Sequence, residues 1–416
     1  MYRVLSFTRY LPRHGWDCSV ICAGAEDYWV VDPTLLDWVP PTTEVVRVAG
    51  GSGLAAWVKL WRGDRGRRPG GLFQMFRRLS DWWLLPDSYV AWDGRARGAA
   101  ERLLAQRPFD AMLSSSPPNS VHLAACALRA RHRMPWVADF RDPWMALAAR
   151  TPPTRWHAER QRRLEGSVLE TADLILAASR SHADLLERRL EGATAGAGKV
   201  VHLPNGFEPD REDPAAPAQG PPAGEAPPHF TLVFTGVLSL MPDVEVFLEA
   251  LHDLLARRPE ARRRLRAKLA GPYVAGYADR AVALGLTGIV DFMGPRPHAE
   301  ARALQRGAGV LLLWQPRDFP TMVPGKLYEY LDVGRPIVAV LDPDTESASL
   351  VRRAGGAIVR PGDRAALAAE IERHYEAWRS GEPIAAGRPA WLEEHARSSL
   401  ARRLASHLDR LVGSAA

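Results

Sequence analysis

Cysteine is scarce in this chain. Only Cys18, Cys22 and Cys126 occur in 416 residues. An odd, sparse count without metal-ligand spacing argues against a disulfide framework and points to a reducing compartment. Long apolar runs are missing too: none approaches the roughly 18 residues that a membrane-spanning helix requires. Arg3, Arg9 and Arg13 interrupt the opening segment, so no secretory leader is expected. There is no zinc finger and no aromatic-basic RNA-binding signature, and nucleic acid is not an expected partner. What is present is ordinary for a soluble globular protein, 46% hydrophobic and 25% charged. The length suits two or three domains. A net charge of +6 is mildly basic. It fits an anionic small substrate or an anionic membrane surface.

The most informative stretch is Val323 to Asp344, VPGKLYEYLDVGRPIVAVLDPD. Pro324 and Gly325 make a turn. Lys326 to Val333 is expected to be helical, with Leu327, Tyr330 and Leu331 at buried-face spacing. Gly334 ends the helix, Pro336 follows, and Ile337 to Leu341 reads as a buried parallel strand. In open parallel sheets ligands bind beyond the carboxyl ends of strands, and anions favour helix N-termini. Lys326 and Glu329 are the charged groups placed there.

The rest of the chain alternates between strand and helix patterns. Tyr2 to His14 reads as a helix, and Cys18 to Ala23 and Glu44 to Val48 as strands. A doubly wound domain normally opens with a strand and a glycine-rich turn, and that strand is missing here. Gly50-Gly51-Ser52-Gly53 reads as a connector rather than a phosphate loop. Residues 57–85 interleave Trp57, Trp61, Phe73, Phe76, Trp82 and Trp83 with Arg62, Arg65, Arg67, Arg68, Arg77 and Arg78. That pattern suits either a membrane interface or a connector between helices. Phe109 to Leu113 is expected as a strand, followed by a loop containing Ser116 and Asn119. Pro135 to Asp139 is expected as the next strand, with Phe140-Arg141-Asp142-Pro143-Trp144 after it. Asp213 to Pro228 is rich in proline, alanine and glycine and cannot bury a core. Strand–helix alternation resumes at Phe230. This divides the chain into 1–210, a linker 211–228, a second domain 229–380 and a helical tail 381–416. Alternation of this kind implies parallel sheets with right-handed crossovers. His122 and His298, at helix starts, read as packing or capping residues. Asp342 and Asp344 form a D-x-D, but on a strand-to-helix loop, and no metal is expected.

Several segments resemble those of family-4-type, retaining glycosyltransferases of the two-domain glycosyltransferase-B fold. Lys326, Glu329, Tyr330, Leu331, Gly334, Arg335 and Pro336 resemble K-x-x-E-Y-L-x-x-G-R-P. The S-S-P-P-x-S and P-W-x-x-D-F-R-D-P-W segments resemble a bacterial subgroup, as do the A-D-x-x-x-x-x-S and K-V-x-x-x-P-N-G-F segments near Asp173 and Lys199. The likeness covers most of the chain beyond Tyr2, apart from the linker. It implies two Rossmann-like domains facing a cleft, the N-terminal one without its first strand. It also implies a C-terminal helix packed back on the first domain. In the family a strand and a G-G-x-G-type loop precede the segment matched by Tyr2 to Pro12. A native product longer at the N-terminus is therefore expected.

The resemblance implies transfer of a sugar from a nucleotide-sugar donor to a glycan, lipid-linked or natural-product acceptor. It also implies retention at the anomeric carbon, with no metal and no cofactor. Glu329 would accept the ribose hydroxyls. The departing diphosphate needs fixed positive groups and free amides. Lys326, the amides around Pro324 and Gly325, and Arg296 are the candidates, with Gly236 admitting close backbone approach. Thr321 stands where many members carry a glutamate, and it would donate one hydrogen bond to the sugar. The Arg and Lys that many members carry after the first strand of the second domain are absent from GVLSLMPD. Asp139, Arg141 and Asp142 are the catalytic candidates, with one aspartate expected to pair with an arginine and close the loop. Ser116, Asn119 and Trp144 are expected on the acceptor side. The expected location is cytoplasmic, at the inner face of the membrane if 57–85 makes peripheral contact. The alternatives are a nucleotide-sugar epimerase of related fold and a non-catalytic pseudo-glycosyltransferase.

Overall fold

The structure is a computed structural model of the chain. It describes residues 2–24, 32–50, 82–145, 152–191, 198–209, 228–241, 243–382 and 387–413. The expected linker and most of the basic-aromatic segment lie outside these residues. The chain divides into two compact units. Among the described residues, the first comprises 2–205 and 397–413, and the second 206–396.

Every strand pairing in the first unit is parallel. Strands β1 (Ser19–Ala23) and β2 (Glu44–Val48) form one small sheet. Strands β3 (Met112–Ser116), β4 (Trp136–Phe140), β5 (Leu174–Ala177) and β6 (Val200–His202) form a second, in that order. Helix α1 (Tyr2–Tyr10) enters ahead of β1 and continues as a 3-10 turn to His14. Gly15 closes it at φ +83°, and its amide bonds back to Leu11 and Pro12. Helices α2 (Val90–Gln106), α3 (Ser120–His132), α4 (Arg155–Thr171) and α5 (Arg180–Leu190) connect the strands.

Residues alternate faces along a strand, and the four-stranded sheet uses both of them. Trp136, Ala138 and Phe140 point to α3, α4 and α5. Val137, Leu174 and Leu176 point the other way, to Phe7, Tyr10 and Leu11. The last helix, α12 (Arg397–Gly413), joins this second face. It contributes Leu400, Ala401, Leu404, Ala405 and Leu408, the spacing of one helical stripe.

The second unit holds one six-stranded parallel sheet. Its strands are β7 (Phe230–Thr235), β8 (Leu265–Ala270), β9 (Val290–Gly294), β10 (Val310–Trp314), β11 (Ile337–Val340) and β12 (Ala357–Val359). Their order is β12-β11-β10-β7-β8-β9. Helices α6 (Asp243–Arg257), α7 (Ala275–Ala283) and α11 (Arg364–Arg379) cover one face, with Phe230, Phe234 and Trp314 in that core. Helices α8 (His298–Arg306), α9 (Gly325–Val333) and α10 (Glu346–Arg353) cover the other, over Val233, Leu311, Leu313 and Ala339. From β7 the chain winds outward through β8 and β9. It then returns to β10 and winds the other way. The reversal falls between β7 and β10, the point where open α/β sheets bind ligands.

Two expected elements are corrected. The strand expected at Phe109–Leu113 runs instead through Met112–Ser116. Ser114 and Ser115 thus belong to the sheet, because their hydroxyls find partners in the interior. Within the helical tail expected over 381–416, a 3-10 segment, Ala390–His395, comes first, and α12 follows after Ala396.

Candidate active site

At the switch point of the second unit, β7 ends in Thr235 and Gly236. Gly236 has φ +142°, which favours glycine. Beside it, the loop after β10 is shaped by buried Gln315. Its amide donates to the carbonyls of Phe319 at 2.7 Å and Met322 at 2.8 Å. That places half-buried Thr321 just ahead of α9. Helix α9 begins after Pro324 with no side-chain cap, so its first amides project uncapped.

Lys326 leans from this turn onto β7, its Nζ 4.0 Å from the centroid of the Phe234 ring. A Cβ on Gly236 would stand 2.3 Å from that ammonium, so glycine makes room for the lysine as well as for the turn. The residue keeps some exposure, but burial of its ammonium pushes the pKa down to about 7, partly countered by Glu329.

Glu329 lies one turn further along α9. Its Oε2 accepts from Gln305 Nε2 at 3.3 Å. The same Nε2 donates to Thr235 Oγ1 at 2.9 Å, and Tyr330 OH accepts from Thr235 N at 2.9 Å. Arg302, buried, donates to Gln305 Oε1, to the Glu329 carbonyl and to Asp332. Gly236, Thr321, Pro324, Gly325, Lys326 and Glu329 therefore gather at one end of the sheet. Arg296 stands on the loop after β9, exposed, with Glu300 at 3.7 Å. Asp342 is used locally: its Oδ1 accepts from Asp344 N at 3.0 Å, a turn that the D-x-D supplies to the chain. Gln305, Arg302 and Thr235 carried no sequence signal, since none belongs to a spaced motif and their partners come from other elements.

The candidates in the first unit are arranged differently. Asp139 is fully buried on β4, paired in register with Ser115 of β3. Arg3 Nη2 lies 2.8 Å from its Oδ1, Arg3 Nε lies 3.0 and 3.1 Å from its two oxygens, and Ser115 Oγ donates to Oδ2 at 2.7 Å. One aspartate was expected to close the loop with an arginine; Asp139 takes that place, with Arg3 of α1 as its partner. Arg141 clamps the neighbouring loop, donating to the carbonyls of Ser116 at 2.8 Å and Pro117 at 2.6 Å. Asp142 is half-buried just beyond. Ser116, Asn119 and Trp144 are all buried, and the Trp144 indole donates to Gln161 Oε1 at 2.6 Å. In this arrangement Trp144 packs the core of the unit and offers no ring face outward. His122 is likewise interior: its ring stacks on Phe140 at 4.5 Å and its Nδ1 bonds Ser114 Oγ at 2.7 Å. Burial drives its pKa down to about 3, so it stays neutral as a packing residue.

Both units are parallel α/β, and in the second an uncapped helix start, a lysine and a backed carboxylate meet at the switch point. Residues 2–206 match the family model described as a glycosyl transferase 4-like domain, and residues 229–377 match that of glycosyl transferases group 1. The chain belongs to the glycosyltransferases built from this pair of domains, and its fold is glycosyltransferase-B. Solved structures agree. A glycosyltransferase from Rickettsia africae is 11% identical at TM-score 0.54, covering 95% of this chain and 98% of its own. A sucrose-phosphate synthase from Thermosynechococcus elongatus is 15% identical at 0.57, covering 96% and 100%. A UDP-forming α,α-trehalose-phosphate synthase from Burkholderia xenovorans is 14% identical at 0.60, covering 94% and 99%. No curated relative matches in sequence.

Proposed function

We propose that this glycosyltransferase is of the retaining family-4 type, in the bacterial subgroup with a D-F-R-D-P-W segment. In this reading it moves a sugar from a nucleotide-sugar donor to a glycan, lipid-linked or natural-product acceptor, without metal or cofactor. The carrying observation is the juxtaposition of Lys326, Glu329 and Gly236 at the switch point of the second unit. Glu329 takes the ribose hydroxyls, since one carboxylate accepts two donors. Lys326 and the first amides of α9 take the diphosphate as its charge develops. Thr321 bonds a sugar hydroxyl, and Arg296 reaches the phosphates from the opposite loop. Residues 229–380 form the donor half and 1–210 the acceptor half. There Asp142 is the carboxylate that meets the acceptor or the reacting sugar, Asp139 anchors it from behind, and Arg141 holds the loop.

The family match favours this over the epimerase and pseudoenzyme alternatives. Calorimetry with uridine, guanosine and adenosine diphosphates tests it directly. One of them should bind, and Glu329→Ala should weaken that binding. Binding to none of the three would overturn the reading.

Peripheral contact with the inner face of the cell membrane belongs to the same proposal. Within 57–85, Trp82 and Trp83 are described, and both are exposed, as is Trp156 at the start of α4. His157 joins two of these, Trp82 and Trp156: its ring lies edge-on to Trp82 at 5.1 Å and to Trp156 at 4.9 Å, and its Nε2 donates to the Trp82 carbonyl at 3.2 Å. Among the described residues no helix is long and apolar enough to cross a membrane. Such a contact would therefore be made by side chains at headgroup depth.

A further inference from the structure

Gln305 lies in the last turn of α8 with 1% of its surface exposed, so its carboxamide cannot be satisfied by water. Every polar atom of that amide is assigned. The Oε1 accepts from Arg302 Nη1 at 3.1 Å, while Nε2 donates to Thr235 Oγ1 at 2.9 Å and to Glu329 Oε2 at 3.3 Å. The partners fix which end is which. A guanidinium can only donate and a carboxylate can only accept, so the amide has one orientation. Arg302 is itself immobilised by the Glu329 carbonyl at 3.0 Å and by Asp332, which Arg388 holds from the other side at 2.9 Å. The result is a chain of committed groups that runs from α8 into the carboxylate of α9. A glutamate on an exposed helical turn samples several rotamers, and binding must otherwise remove that freedom.

We propose that Gln305 is a positioning residue for the donor: it presets the Glu329 carboxylate, with Thr235 and Arg302 fixing the amide, so that ribose hydroxyls meet an already oriented acceptor. The proposal rests on the ribose role of Glu329 given above. It adds that Gln305, which touches no substrate, sets the enzyme's discrimination between ribose and deoxyribose donors.

The test uses the full chain and two variants, Gln305→Glu and Gln305→Met. Gln305→Glu is isosteric and gives Arg302 a carboxylate to pair with, so the fold should survive. It removes the amide donor and puts a like charge beside Glu329. Calorimetry compares uridine, guanosine and adenosine diphosphates with their 2′,3′-dideoxy counterparts. For the wild type, the preferred ribonucleotide should bind about tenfold tighter than its dideoxy form, the scale of hydrogen bonds to a charged group. In both variants that ratio should fall toward one, with affinity for the dideoxy compound unchanged. A merely structural role would weaken both ligands alike. A wild type that binds no diphosphate, or does not discriminate, overturns the ribose role of Glu329 and this inference with it. A discriminating wild type whose variants discriminate equally well overturns this inference alone.

Discussion

Arg3 and Asp139 stand 136 residues apart in sequence and form a bidentate pair in the interior of the first unit. Arg3 also donates to the Pro204 carbonyl at 2.6 Å. Helix α1, strand β4 and the end of the unit are thus tied through one guanidinium. Removing one partner strands a buried charge, which typically costs about 3–5 kcal/mol. Asp139→Asn should therefore lower the melting midpoint and transfer together, while leaving nucleoside diphosphate affinity unchanged. The double variant Arg3→Met/Asp139→Leu should recover much of the stability, because a buried pair replaced on both sides leaves no orphan. Lost transfer at an unchanged midpoint would show instead that Asp139 acts on the reacting groups.

In the donor role proposed for it, Lys326 should make donor binding pH-dependent. Its folded pKa is depressed from 10.5 to about 7 by burial, so between these values the unfolded chain holds a proton that the folded chain lacks. Stability therefore rises with pH across that window, and the cost of charging the buried ammonium is fully present below pH 7. Lys326→Met should stabilise the protein at pH 6 and lose that advantage near pH 10, read by denaturant midpoints. A diphosphate bound as proposed would place negative charge beside the amine and pull its pKa back up. Calorimetry at pH 8 in buffers of different ionisation enthalpy should register uptake of up to one proton on binding, and none in Lys326→Met.

Substitutions at Gly236 and Gly271 should separate structure from binding. Gly271 has φ +137°, and a Cβ there would sit 1.7 Å from the Gly236 carbonyl oxygen, a backbone atom that cannot step aside. Gly271→Ala should unfold or severely destabilise the second unit, by more than the roughly 1 kcal/mol of an ordinary strained glycine replacement. At Gly236 the clash is with the Lys326 ammonium, at the end of a flexible side chain. Gly236→Ala should keep a folded protein but displace Lys326, weakening nucleoside diphosphate binding more than it lowers the melting midpoint.

The parts of this molecule that were legible in the sequence are those with local periodicity. Leu327, Tyr330 and Leu331 announced α9, and Gly334, at φ +68°, ends it where expected. The alternation after Phe230 announced the second sheet. Ser114 to Ser116 read as loop because serine is common in turns, yet Ser114 is held by His122 and Trp136, and Ser115 by Asp139. Those partners come from other strands and helices, and composition does not encode them. The same reason hid Arg3 as the partner of Asp139. It hid Gln305, whose role depends on α8 and α9 packing side by side. It also hid the burial of Trp144, which in sequence is one more aromatic beside a charged loop.

The exposed tryptophans Trp82, Trp83 and Trp156 predict lipid binding that is separable from catalysis. Trp83 is 83% exposed and Trp156 64%, and Arg160, exposed, lies one turn beyond Trp156 on the same helix face. Indole rings favour headgroup depth, and a nearby arginine gains about 1 kcal/mol against an anionic leaflet. The full chain should float with vesicles of phosphatidylcholine and phosphatidylglycerol at low salt, and much less with phosphatidylcholine alone. Trp83→Ala/Trp156→Ala should reduce flotation severalfold. Arg160→Glu should reduce it mainly on the anionic vesicles. Both changes fall on exposed side chains, so the melting midpoint should move little. Nucleoside diphosphate affinity should not move at all, because these residues and the Lys326 turn belong to different units. Equal flotation of all variants, or none by the wild type, would remove the membrane from this protein's list of partners.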